Sequence, residues 1–125
     1  MQTPEQHLDK QIMLWCGQHN WLCFHCNVGK VLLADGRYFS TGLPNGFPDL
    51  LILTDTGYAI FCETKIKPRK PTQEQLDFIK NLNVRGFDAF VAYTFDEFLY
   101  HIKHFIEGIS HERIKSTNVK IFNKI

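Results

Sequence analysis

Gly46-Phe47-Pro48-Asp49-Leu50-Leu51-Ile52-Leu53-Thr54-Asp55-Thr56-Gly57-Tyr58-Ala59-Ile60-Phe61-Cys62-Glu63-Thr64-Lys65 is the stretch whose reading decides the fold. Asp49 to Leu53 and Tyr58 to Lys65 are strand-length runs, largely apolar, and Thr54-Asp55-Thr56-Gly57 between them is a tight turn. Suppose Asp55-Thr56-Gly57 is a three-residue loop, a type I turn closed by a glycine in the left-handed region. Thr54 then faces Tyr58, and counting back sets Asp49 opposite Glu63. A two-residue turn would instead set Asp49 against Cys62. In the first register the opposed side chains share a face, with Cβ atoms roughly 4.5–5.5 Å apart. Alternation along the strand puts Lys65 on the face of Glu63 and turns Thr64 to the other.

Two carboxylates and an ammonium therefore converge at one end of a hairpin. Opposed like charges destabilise a strand pair unless something neutralises them. A divalent cation does so with hard oxygen ligands, to which the Thr64 carbonyl could add another. Lys65 would then be placed to orient or deprotonate a water, or to steady charge developing at phosphorus. The same residues are also what a solvated, charged strand end produces, so E-x-K spacing by itself is unspecific.

Working outward, Thr3-Pro4-Glu5-Gln6 is a helix start with a Thr N-cap, Pro in the first turn and Gln closing a capping box. Leu8, Ile12, Trp15 and Cys16 continue it at helical spacing. Glu5 shares the face of Leu8 and Ile12; an acid on an inward stripe needs a partner or a purpose, although Glu in a first turn also complements the helix dipole. Trp21 to Val28 reads as a strand, Gly29-Lys30 as a turn, and Val31-Leu32-Leu33 as its return, with a turn-rich loop from Ala34 to Phe47. After the hairpin, Thr72-Gln73-Glu74-Gln75 opens a helix carrying Leu76, Ile79 and Leu82, stopped by Gly86. Gln75 lies on the side of Phe78, Ile79 and Leu82, either lining a site or serving the capping box alone. Asp88 to Tyr93 is a short strand, and Thr94-Phe95-Asp96-Glu97 opens a helix that ends near Gly108. The expected order is α-β-β-β-β-α-β-α. This is an α/β domain over 1–108, a mixed sheet flanked by helices, with a tail at 109–125 that could be strand, arm or frayed end. The crossover from Tyr58–Lys65 to Asp88–Tyr93 makes those strands parallel.

The 125 residues suit one domain, and 44% hydrophobic with 14% aromatic residues exclude a disordered chain. Fourteen Lys and Arg against thirteen Asp and Glu exclude a grossly basic or acidic protein, although five of those bases and only two acids fall after residue 98. Lys65, Lys67, Arg69 and Lys70 form the tightest basic cluster, suited to phosphates or to a solvated loop. No stretch is apolar enough to span a membrane and no secretory signal opens the chain, so a soluble cytoplasmic protein without a membrane partner is expected. Cys23 and Cys26 have the spacing of a zinc half-site but lack a second pair, while Cys16 and Cys62 stand alone in apolar surroundings. Reduced, buried thiols are the favoured reading and a zinc-stabilised module the lesser one.

Pro48-Asp49 and Glu63-Thr64-Lys65, each attached to an apolar strand, resemble the PD-(D/E)xK nuclease superfamily. Within it the chain is most similar to the stand-alone virus-type replication-repair nuclease (VRR-NUC) domain. The likeness includes Gly-x-Pro-Asp at 46–49, the early Glu5, the Thr72-x-x-Gln75 helix start, the Gly86 stop and the Thr94 helix start, and runs from about Thr3 to Phe98. It implies a restriction-endonuclease-like fold and hydrolysis of DNA phosphodiesters, selective for junctions or flaps. It further implies Mg²⁺ or Mn²⁺ held by Asp49, Glu63, the Thr64 carbonyl and, directly or through water, Glu5. Lys65 and Gln75 complete the catalytic set. Lys67, Arg69 and Lys70 are candidate DNA phosphate contacts, and His25 stands where the family often has a basic residue. Branched DNA as substrate and a homodimer follow from the same resemblance. The alternative is a catalytically silent nucleic-acid-binding subunit of the same fold.

Overall fold

The computed structural model describes the backbone of residues 1–123 and, apart from Val31 and 110–123, their side chains. Along the chain run α1 (Pro4–Gln18), β1 (Leu22–His25), β2 (Lys30–Leu32), β3 (Tyr38–Ser40), β4 (Leu50–Leu53), β5 (Ala59–Thr64), α2 (Gln73–Val84), β6 (Asp88–Ala92) and α3 (Phe95–Asn123). The main sheet has the order β1-β4-β5-β6. Its β1/β4 and β4/β5 pairs are antiparallel, and β5/β6, joined through α2, is parallel. This is the mixed, helix-flanked α/β sheet that the sequence predicts.

The hairpin takes the three-residue loop. Leu50 pairs with Cys62 and Leu53 with Ala59, and the Thr54 N–H donates to the Tyr58 carbonyl at 2.9 Å. Gly57 has φ +89°, the left-handed value this turn demands of its last residue. Extended by one residue, the register sets Asp49 against Glu63.

Alternate residues of the sheet strands (Leu50, Ile52, Ile60, Cys62, Phe90 and Ala92) join Leu8, Ile12 and Cys16 of α1 and Phe98, Ile102 and Phe105 of α3 in one core. Each such Leu, Ile or Phe contributes about 1.5–3 kcal/mol by leaving water. On the other face Phe47 sits edge-on between Phe61 of β5 and Phe78 of α2, which ties the segment before Asp49 to the helix that carries Gln75. Both Thr3–Gln6 and Thr72–Gln75 form complete capping boxes. At Thr94 only half the box forms: its hydroxyl accepts from the Glu97 N–H, but the Glu97 carboxylate takes the Tyr93 N–H instead, at 2.6 Å.

Two expectations need correction. Val31 to Leu33 does not return beside β1; β2 pairs with β3, inside the segment read as loop, as a separate two-stranded ribbon. The reason lies at Gly29, whose N–H donates to the Leu43 carbonyl and whose carbonyl accepts from Thr41, so the chain is tied to 41–43. The partner of β1 is β4, and the Cys26 N–H continues that pairing onto the Asp49 carbonyl at 2.7 Å. The order therefore gains one short strand. The last helix also runs past Gly108 and across the expected boundary, helical in backbone to Asn123. A lone helical glycine costs only about 1 kcal/mol, and Gly108 does not adopt the left-handed conformation that ends helices. Residues 124–125 of the expected tail lie outside the described residues. Among the described residues no helix is long and apolar enough to cross a membrane.

Candidate functional site

Three consecutive polar residues close the central strand in full burial. Glu63 and Thr64 are 0% exposed and Lys65 is 6%. Burying a carboxylate or an ammonium costs several kcal/mol unless it is paired and hydrogen-bonded, so packing alone gives no reason for these residues here. The hairpin register brings Asp49 alongside them. Its main-chain N–H donates to Glu63 Oε2 at 3.2 Å, while the Thr64 N–H and hydroxyl lie 3.2 and 3.1 Å from Asp49 Oδ2. Each acid is thus held by the strand of the other. Lys65 Nζ lies 3.6 Å from Glu63 Oε1.

Gln75 serves both readings at once. Its carbonyl oxygen accepts from the Thr72 N–H at 2.8 Å and closes the capping box, while its amide nitrogen donates to Glu63 Oε1 at 3.0 Å. A Gln75→Glu exchange separates the two roles. It keeps the acceptor for Thr72 but faces Glu63 with a third carboxylate in place of a donor. Far-UV circular dichroism is expected to stay unchanged, with a loss of roughly 1–3 kcal/mol in metal-free stability at pH 8 by denaturant titration. Unchanged stability would mean that the Gln75 amide does not support the acid.

Burial, then the negative charge of Asp49 and a hydrogen bond to its carboxylate, push the Glu63 carboxyl up to about 8; Lys65 and the Asp49 N–H offset this only in part. Two acids crowded into one buried place behave in this way when a single ammonium offsets them. With both acids ionised, Asp49 and Glu63 set against Lys65 leave an excess of one negative charge on hard oxygen atoms, a donor set that fits Mg²⁺ or Mn²⁺. Among the described residues no group of three or more His, Cys, Asp and Glu side chains is placed to hold a metal ion. Cys23 and Cys26 thus gather no zinc ligand set there, and the carboxylate pair gains no third His, Cys, Asp or Glu ligand.

Glu5, expected near the ion, is instead paired with Arg69 at 3.3 Å. Together with Ile66, Lys67 and Pro68 they line a depression of about 270 Å³ just beyond Lys65. Lys67 Nζ lies 5.5 Å over the Tyr93 ring, and Lys70 is exposed. His25, on edge strand β1, is turned to Asp9, with Nε2 3.4 Å from Oδ2.

Asp9 is the residue that sequence reasoning missed. It is 6% exposed, and its Oδ1 accepts from the Thr64 hydroxyl at 2.5 Å. Burial holds its carboxyl above the usual range against that hydrogen bond, with Asp49 and Glu5 adding to the rise and His25 opposing it. The signal was present: Asp9 is four residues after Glu5, three before Ile12 and seven before Cys16, on the inward face.

No protein-family model and no curated protein matches the chain. A solved structure of a VRR_NUC domain is similar to it, with 25% sequence identity and a TM-score of 0.63 over 82% of this chain and 98% of that one. The fold is VRR-NUC-like, and the likeness supports a nuclease-type function.

Proposed function

We propose that the protein is a metal-dependent DNA endonuclease that hydrolyses phosphodiester bonds and selects branched DNA, junctions or flaps. The observation that carries this reading is the fully buried Glu63 pressed against Asp49, with Lys65 and Gln75 on the same oxygen, within a VRR-NUC-like fold. Asp49 and Glu63, with the Thr64 carbonyl, would hold Mg²⁺ or Mn²⁺. That ion, when bound, supplies Lewis acidity toward a phosphoryl oxygen and water. Lys65 orients the attacking water and steadies charge at phosphorus from its buried place beside Glu63. Gln75 keeps the Glu63 carboxylate in one orientation, and Glu5, paired with Arg69, would reach the ion only through water. Lys67, Arg69 and Lys70 leave the catalytic strand where a DNA backbone would pass, and phosphate contacts of this kind fix position without reading sequence. His25 is a further phosphate contact at the β1 edge. A homodimer suits a small protein that cuts two strands.

Purified protein incubated with four-way junction, flap and linear duplex DNA is expected to nick the branched substrates in Mg²⁺ or Mn²⁺ and not in EDTA. Lys65→Ala should lower the single-turnover rate by about 10²–10³-fold, the size of effect seen when one preorganised charge-stabilising donor is removed. Nicking that persists in Lys65→Ala and Asp49→Ala would reject the assignment. Salt-sensitive binding with no cutting would instead leave a DNA-binding subunit of the same fold.

A further inference from the structure

Asp9 is the buried acid that the proposed reaction does not use, and both of its oxygens are engaged. Oδ1 accepts from the Thr64 hydroxyl at 2.5 Å, and Oδ2 lies 3.4 Å from His25 Nε2. The Thr64 hydroxyl in turn lies 3.1 Å from Asp49 Oδ2, the oxygen that also receives the Thr64 N–H. A threonine side chain chooses among staggered rotamers, and a short bond to a carboxylate is strong enough to select one. Here the selected rotamer lays the hydroxyl against Asp49.

We propose that Asp9 is a positioning residue for Asp49, acting through the Thr64 hydroxyl, so that α1 sets the orientation of a metal-holding carboxylate. This rests on the reading of Asp49 and Glu63 as the acids that hold a divalent cation. The hydroxyl carries one hydrogen and faces two carboxylates. The shorter bond gives Asp9 the larger share of that hydrogen and pins the hydroxyl beside Asp49 Oδ2, the oxygen that also receives the Thr64 N–H. Asp9→Asn keeps an acceptor but not the charge, so it would shift the hydrogen toward Asp49, loosen the Thr64 rotamer and take away a nearby negative charge. All three changes weaken cation binding. A role in packing alone would lower stability and leave the affinity of the folded protein where it was.

Mn²⁺ titration of the metal-free protein, followed by the electron paramagnetic resonance signal of free Mn²⁺, tests this without any cleavage assay. Asp9→Asn is expected to weaken binding by about 10-fold or more, the range for outer partners of metal ligands. Thr64→Val, which keeps the shape and drops the hydroxyl, should weaken it similarly. Because the two act as one unit, Asp9→Asn should add less than about 3-fold in the Thr64→Val background. Equal affinity in wild type and Asp9→Asn, or the same loss in both backgrounds, would overturn the proposal. Should Asp9→Asn fail to fold, Thr64→Val and Thr64→Ser decide: wild-type affinity in the valine variant overturns it, and loss in valine with retention in serine supports it. A wild type that binds no Mn²⁺ rejects the metal-site reading itself, and the positioning role with it.

Discussion

Glu63→Gln is expected to end metal-dependent cleavage and, in the same protein without metal, to raise the melting temperature at pH 8. The folded chain holds the Glu63 carboxyl up to about 8, whereas an unfolded chain releases that proton near the ordinary value of 4.5. Between those values the unfolded state binds fewer protons, so stability falls as pH rises. The favourable contribution is complete below about 4.5 and gone once pH has passed about 8. Glutamine does not titrate, and its amide can donate to the Asp49 carboxylate much as protonated Glu63 does. Melting curves from pH 5 to 8.5 in EDTA should show a downward slope in wild type and a flatter one in the variant. A gain of roughly 5 °C at pH 8 is expected for a domain of this size. Adding Mn²⁺ should stabilise only the wild type, because a ligand stabilises the state that binds it. Cleavage should fall by about 10³-fold or more with the loss of a charge-holding ligand. Parallel pH slopes in the two proteins would show that Glu63 is not held protonated by its surroundings.

Gly46→Ala is expected to cost about 2–4 kcal/mol, an unusual amount for a single methyl group. Gly46 has φ +90°, and a Cβ there would stand 2.7 Å from the Glu74 carbonyl oxygen and 2.9 Å from its carbon. Those atoms belong to the first turn of α2 and cannot swing aside as a flexible side chain would. Gly42 supplies the control, since it has φ +80° with nothing within 4 Å of the added carbon. Gly42→Ala should therefore lose only the conformational part, about 1–2 kcal/mol. Denaturant unfolding of both variants measures the difference. Mn²⁺ affinity should fall in Gly46→Ala alone, because the helix that must move is the one that brings Gln75 to Glu63. Equal losses of stability in the two variants would mean that Gly46 is needed for its backbone angle and not for close approach.

The parts of the site that were legible in the sequence are those set by short-range rules. Gly57 at the end of a three-residue turn fixes the register, and the register alone opposes Asp49 and Glu63. Thr72 and Gln75 signal a capping box, and the face shared by Gln75 and Phe78 points the amide inward. The rest depended on which distant segments meet. Val31 to Leu33 is too short and too uniformly apolar to reveal its partner, and the choice was made by hydrogen bonds at Gly29. Asp9 shows its role only where α1 lies over Thr64, fifty-five residues away. The pairing of Glu5 with Arg69 was hidden for the same reason, because it joins the start of α1 to the segment after β5.

Asp49, Glu63, Lys65 and Gln75 all come from one unbroken stretch, a β-ribbon followed by the first turn of a helix. Closing such nearby loops costs little chain entropy, so these four groups can meet before the ends of the chain are in place. Helices α1 and α3 then act as a jacket around a module made locally, and Asp9 is a point where that jacket is fastened, through Thr64, to the acids.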